Sequence, residues 1–339
     1  MRIHNIGAAL AAVALLALPL AAWAADEPKS AGIVQQAKGS DPAPGPAPTP
    51  VIVQDYEPNP AIWRLADEDT TIYLFGTIHI LPEGFAWRTA QFDAIAAGAD
   101  ELVVESSDAD LEGEEFQAAI YDLLFPSDNR MPTSQALSPE AADKWRKLAE
   151  ISELPFEFID SIPPMLVMLM VGVDFSYDTG SMSEAGVETV LEAEFAQAGK
   201  PIISIEDPVP VLRDLLGIDE QLMIAQLETD LAEWDGQSID SLLFEEDFDS
   251  APDGDLFALE HSWARGEVGA ENLFSDTPFE MAMQDALITK RNRAWAEWLD
   301  TRLDQPGVVL VAVGAGHFEG SDSVQNMLAE RGLTPTRIN

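Results

Sequence analysis

The chain of 339 residues carries 18 Lys and Arg against 60 Asp and Glu, a formal net charge of −42, and no cysteine. Such a polyanion has no basic stripe with which to displace counterions from nucleic acid, which excludes that partner class, and its charge disfavours docking to anionic lipid. Without thiols there are no disulfides, thiolate nucleophiles or Cys-based zinc sites, and a metal centre must be built from His, Asp and Glu.

Taken in chain order, Met1 to Asn5 include one Arg, an apolar run continues through Leu20, and Ala22-Trp23-Ala24 follows. A basic start, an apolar run shorter than the roughly 20 residues of a membrane span and an A-x-A exit predict a cleaved signal peptide over 1–24. No stable membrane insertion is expected after cleavage. Export of a cysteine-free chain points to a periplasmic or secreted location. Residues 25–60 are polar and proline-rich, with Pro42, Pro44, Pro46, Pro48 and Pro50 at every second position. That alternation favours extended geometry and predicts a disordered linker ahead of one folded domain over 61–339.

Within the domain, Ile62–Leu65 and Thr71–Phe75 read as two strands of a hairpin around Asp67-Glu68-Asp69. A helical stretch from Trp87 to Ala97 leads to a third strand, Glu101–Glu105. Residues 111–200 are mostly helical in pattern, and Ser138-Pro139-Glu140 has the form of an N-cap with Pro at the first helical position. Met165–Val171 is apolar all round but too short to span a bilayer, so it predicts a buried helix. Pro201–Ile205 and Gly307–Val313 are further strands, with helices between them that include 281–303. The acidic run Glu245-Glu246-Asp247 with Asp249, Asp253 and Asp255 reads as a solvated loop. Strands separated by helices predict an α/β (mixed α+β) domain, a central sheet flanked by helices.

Chemistry-bearing residues follow the strands. Gly76-Thr77-Ile78-His79 comes after Phe75, Glu105 after Val104, Glu206 after Ile205, and Gly314-Ala315-Gly316-His317 after Val313. If those strands run the same way in one sheet, all four groups meet at its carboxyl edge, where open α/β sheets bind ligands. The chain has four histidines, and two of them share the Gly-x-x-His context; His261 reads as a structural residue beside Trp263. Two neutral imidazoles and a carboxylate are a common ligand set for a divalent metal, with positions left open for water. His79 and His317 are therefore the expected imidazole ligands, with one carboxylate of the same edge as the third donor and a second as proton acceptor, and Gly76 and Gly314, which open the two motifs, are expected to border the cofactor. Asp178-Thr179-Gly180-Ser181 spells an aspartic-protease tetrapeptide but occurs once, away from an apolar strand, so it is set aside.

The ordered set of Leu74–His79, Glu101–Glu105, Gly186-Val187-Glu188, Gly199-Lys200-Pro201, Ile205-Glu206, Arg291-Asn292 with Trp295, and Val313–Gly320 with Arg331-Gly332 resembles the TraB/GumN family, related to the Tiki metalloproteases. The resemblance implies a fold like those of erythromycin esterase and the haem-binding ChaN proteins. It also implies an active site of His79, Glu105 and His317 with Arg291 nearby, and divalent-metal-dependent proteolysis using Mn²⁺ or Co²⁺; Zn²⁺ suits the same donors. On this reading the chain is a periplasmic metal-dependent hydrolase acting on a peptide or protein substrate. Glu105 is a ligand or the base, Glu206 supports the site or is an alternative base, and Arg291 stabilises an oxyanion or fixes Glu105. The alternative is a non-catalytic haem-, metal- or peptide-binding protein, or an exopolysaccharide-associated one, of the same fold.

Overall fold

The computed structural model describes residues 52–124, 130–243, 256–274 and 276–339. The expected signal peptide, residues 25–51 of the proline-rich segment and the acidic run from Glu245 to Asp255 lie outside the described residues. The strands are β1 (Ile62–Ala66), β2 (Thr70–Thr77), β3 (Leu81–Pro82), β4 (Glu101–Val104), β5 (Ser181–Met182), β6 (Ile202–Ser204), β7 (Gly307–Gly314) and β8 (Thr336–Arg337). Six of them form one mixed sheet in the order β6-β4-β7-β2-β1-β8, while β3 and β5 pair by themselves. The fold is α/β, with this sheet flanked by helices.

The hairpin forms as the sequence predicts: β1 pairs antiparallel with β2 from Ile62–Phe75 to Ala66–Thr71. Strands β2, β7, β4 and β6 run parallel to one another. Their side chains alternate between two apolar layers, as the period of two requires. Val309, Val311 and Val313 of β7 join Ile72 and Leu74 of β2 on one face, with Trp295, Leu299 and Leu328. Leu310 and Ala312 join Phe75, Leu102 and Val104 on the other face, with Phe92, Leu191 and Phe195. Burying a side chain of this kind stabilises the fold by roughly 1.5–3 kcal/mol. A third core, drawn mostly from helices, gathers around Trp145, Leu148, Val167 and Leu231.

Ser138 caps the helix Pro139–Ile151 through a side-chain bond from the Ala141 N–H, and the helix Pro164–Asp178 buries the Met165–Val171 run. Among the described residues no helix is long and apolar enough to cross a membrane. Three expectations change in detail. The first helix starts at Ala90, not Trp87, because Thr89 caps it and Trp87 packs beside Phe75 and Phe92. Residues 52–60, expected to continue the linker, dock on the domain: Asn59 N–H donates to the Ala264 carbonyl at 2.7 Å, and Tyr56 lies 2.5 Å from Nδ1 of the buried His261. The segment 281–303 is part of one continuous run in which Pro278–Gln284 and Lys290–Leu303 are α-helical and Asp285–Thr289 is a π turn.

Candidate functional site

Because β2, β4, β6 and β7 are parallel neighbours, their carboxyl ends lie along one edge, and His79, Glu105, Glu206 and His317 all follow there. The demanding part is that the first and last of these strands be adjacent. They are: β2 and β7 pair from Thr70–Gly307 through Thr77–Gly314.

The two Gly-x-x-His segments are not conformational copies. Thr77 is still in strand, whereas Ala315–Phe318 turns at once into a 3-10 helix carrying His317. Neither Gly76 nor Gly314 has positive φ, so neither is required for an otherwise forbidden backbone conformation. They supply space. A Cβ on Gly76 would stand 3.0 Å from the Ala315 Cα and 3.2 Å from the Phe318 ring. A Cβ on Gly314 would stand 3.1 Å from Glu105 Oε1 and 3.4 Å from His79 Nε2, inside the gap between these side chains.

Each imidazole is anchored through Nδ1. His317 Nδ1 lies 2.6 Å from Asn292 Oδ1, and Asn292 Nδ2 donates to the carbonyls of His317 and Asp322 at 3.0 and 2.8 Å. With its amide hydrogens so used, Asn292 offers only an acceptor. Nδ1 of His317 must therefore carry the proton, and Nε2 presents a lone pair. His79 Nδ1 lies 2.8 Å from Glu188 Oε1, which also accepts from the Thr77 hydroxyl. Both Nε2 atoms are buried without a hydrogen-bond partner among the described residues.

Glu105 is 1% exposed. Its Oε1 accepts from the Gly314 N–H at 2.7 Å and lies 3.6 Å from His317 Nε2, and its Oε2 accepts from Arg291 Nη2. Arg291 is 5% exposed and is fully engaged: Nη1 donates to the Leu287 carbonyl at 3.0 Å, and Nε and Nη2 grip Glu206 as well as Glu105. Glu206 Oε2 further accepts from Trp295 Nε1 at 2.8 Å. Of the two roles the sequence left open for Arg291, this geometry supports fixing Glu105. Both oxygens of Glu206 are occupied in holding Arg291.

Burial alone would raise the Glu105 carboxyl, but the Arg291 guanidinium beside it wins and holds it at about 2. His317 goes the other way: burial and then Arg291 push it down to about 3, so it is a neutral imidazole. For His79 burial opposes the charged form, but the Glu188 carboxylate overcomes it and raises the ring above its ordinary value. Burial raises Glu206 despite Arg291.

Two residues that carry the site went unassigned in the sequence, although both stand inside the quoted motifs. Glu188 reaches His79 because Gly186 lets the helix Val187–Ala198 start against the chain there: a Cβ on Gly186 would sit 2.0 Å from the His79 carbonyl oxygen, and Val187 N–H donates to Ile78 O at 3.0 Å. Asn292 is placed with Arg291 and Trp295 just after the π turn, whose extra residue re-aims the following helix face, a device common at functional sites. Its signal was adjacency to Arg291 alone.

Does this donor set suit a divalent cation? Two anchored imidazoles with free lone pairs and an ionised carboxylate oxygen beside them have the right chemistry, and Glu188 and Asn292 supply the outer hydrogen bonds that orient such ligands. Among the described residues no three His, Asp or Glu are already drawn in to ion-binding geometry, so the donors would have to close on the cation.

Clefts open on two sides of His79. One is lined by Trp63, Trp263, Leu259, Leu273, Ile288 and Phe318, together with His79 and His317. The other, about 470 Å³ with its open mouth, is lined by Glu105, Asp108, Glu188 and Glu192 with His79.

The carboxyl edge of this α/β sheet thus presents two Nδ1-anchored histidines around an arginine-clamped glutamate. The chain belongs to the TraB/PrgY/gumN family, whose model matches residues 61–337. Neither a curated protein nor a solved structure matches it.

Proposed function

We propose that this protein is an exported, divalent-metal-dependent hydrolase acting on peptide bonds, with Mn²⁺ or Co²⁺ as the cation and the periplasm as its compartment. The observation that carries the reading is the pair of buried, partnerless Nε2 lone pairs flanking Glu105. Unpaired buried nitrogens cost free energy, on the order of 1–3 kcal/mol each, which a bound cation would recover.

His79, His317 and Glu105 would hold the ion. When bound, it supplies Lewis acidity and a water acidified towards neutral pH. The protein does the rest. Glu188 and Asn292 keep both rings turned so that Nε2 faces the cleft. Arg291 keeps Glu105 ionised, which suits a ligand; at about 2 its carboxylate is too weak a base for proton abstraction near neutral pH. Glu206 and Trp295 keep Arg291 in place. Ile288, Phe318 and Trp63 give one side of the site an apolar wall.

Incubation of the purified chain with Mn²⁺ or Co²⁺ and a peptide library tests this. Hydrolysis should be metal-dependent and lost in His79→Ala and His317→Ala. Absence of hydrolysis, or activity unchanged in those variants, overturns the assignment. The aromatic cleft shared by both histidines favours the haem-binding alternative, for which a Soret band lost in His317→Ala, without hydrolysis, would be the signature.

A further inference from the structure

The two clefts beside His79 differ in chemistry. The first is walled by aromatic and aliphatic side chains: Trp63 stacks on Phe318 with ring centroids 4.8 Å apart, Trp263 is pinned by its Nε1–H to the Gly76 carbonyl at 2.8 Å, and Leu259, 44% exposed, stands at the rim. The second carries Asp108, Glu188 and Glu192.

Three features mark the second cleft as more than a solvated acidic face. Glu192 is 8% exposed, yet among the described residues its hydrogen bond comes from the Asp108 backbone N–H at 3.2 Å, and no Lys or Arg pairs with it, with Asp108 or with Glu188. Glu188 Oε2 is buried and without a partner among the described residues. His79, its side chain 7% exposed, borders this cleft with its Nε2 unpaired. Glu192 is thus a buried carboxylate beside the exposed Asp108 and the half-buried Glu188, whose Oε1 is held by His79, and a buried carboxylate with no cation of its own is costly unless something cationic completes it. Burial and the neighbouring Asp108 push Glu192 up to about 7, the response of a carboxyl that lacks its cation.

We infer that the two clefts are substrate subsites on opposite sides of the scissile bond: the Trp63–Trp263–Phe318 cleft takes an apolar side chain, and the Asp108–Glu188–Glu192 cleft takes a Lys or Arg side chain. The inference rests on the peptidase reading above and gives it a substrate class. The ammonium or guanidinium supplies the missing counter-charge within the cleft. The net charge of −42 adds only a general attraction, which salt screens beyond about 8 Å at physiological ionic strength. Choice among side chains is therefore made by the cleft itself.

The test uses fluorescently labelled peptides with Phe or Ser on one side of a central bond and Lys, Gln or Glu on the other. Binding to the full chain is measured by anisotropy without added metal, and cleavage is measured with Mn²⁺. The Phe/Lys peptide should bind on the order of tenfold more tightly than Phe/Glu. Asp108→Asn with Glu192→Gln should erase the Lys advantage and leave the preference for Phe over Ser. Leu259→Asp, at a position 44% exposed, should do the reverse. Equal binding of the Lys, Gln and Glu peptides, or a Lys preference untouched by the Asp108 and Glu192 changes, overturns the inference. Selective binding without cleavage leaves the subsites standing and removes the hydrolase reading; cleavage without selectivity does the opposite.

Discussion

Thr77 and Gly314 are the last register pair between β2 and β7, so the two residues that begin the turns towards His79 and His317 lie side by side across one parallel ladder. Segments nearly 240 positions apart in sequence therefore deliver their imidazoles to one point of the sheet edge. Gly314 then leaves that point open, because any Cβ there would occupy it.

A cation held at that point binds the folded chain and not the unfolded one. Mn²⁺ at a hundred times its dissociation constant should stabilise the protein by about 2.7 kcal/mol. Thermal unfolding checks it: the rise in Tm should vanish in the His79→Ala/His317→Ala double variant.

Glu188→Gln keeps the shape of the His79 anchor and removes its charge. Glu188 is what lifts His79 above its ordinary value against burial, so the variant should titrate His79 at lower pH, read by the ring Cε1 proton in NMR. Metal affinity should fall about 10- to 100-fold, as when other outer partners of histidine ligands are removed. A His79 titration unchanged by the substitution would contradict the anchor.

Arg291 is the cation that, among the described residues, pairs with both the buried Glu105 and the largely buried Glu206. Arg291→Met should cost about 3–5 kcal/mol in urea unfolding, because Glu105 and Glu206 are left buried and uncompensated. Adding Glu105→Gln and Glu206→Gln to the same chain should restore a large part of that loss. Additive losses across the three sites would show that they do not act as a unit.

Acid should weaken the metal-free protein through two groups of the same sign. Folded His317 titrates at about 3, against roughly 6.5 when unfolded. Between those values the unfolded chain binds the extra proton, so stability falls as pH drops below roughly 6.5. Folded Glu105 titrates at about 2, against roughly 4.3 unfolded, so its contribution is present above roughly 4.3 and is lost as pH falls towards 2. His317→Gln should flatten the stability profile between pH 6 and pH 4.5, roughly the window of its titration; an unchanged slope would refute the neutral-imidazole assignment.

Glu192 has the opposite sign. Raised to about 7 in the fold, it contributes stability below roughly 4.3 that is lost as pH rises through 7. Glu192→Gln should therefore raise Tm by a few degrees at pH 8 and leave it unchanged at pH 4, roughly where both states are protonated. Equal effects at both pH values would mean that the charge of Glu192 is not what the fold pays for.

Much of the frame was legible because it is written in local pattern. The short apolar, β-branched and aromatic runs of β2 and β7, the Ser138 cap and the apolar Met165–Val171 run each specify an element from neighbouring residues alone. The matched Gly-x-x-His motifs and the glutamates that end β4 and β6 likewise marked one sheet edge. Short pairings were not legible. β3, β5 and β8 are two residues each and exist only because partners elsewhere in the chain complete them.

By itself the sequence determined the layer architecture, the donor types and their place at strand ends. Which groups anchor the donors was decided only in three dimensions. Glu188 lies on a helix that docks against the His79 backbone, and Asn292 is turned inward after a π segment. The same holds for Arg291, whose pairing with Glu105 and Glu206 joins residues 186 and 85 positions away. Hydrogen bonds at such separations leave no trace in spacing or periodicity, because they depend on the relative placement of packed elements and not on the local backbone.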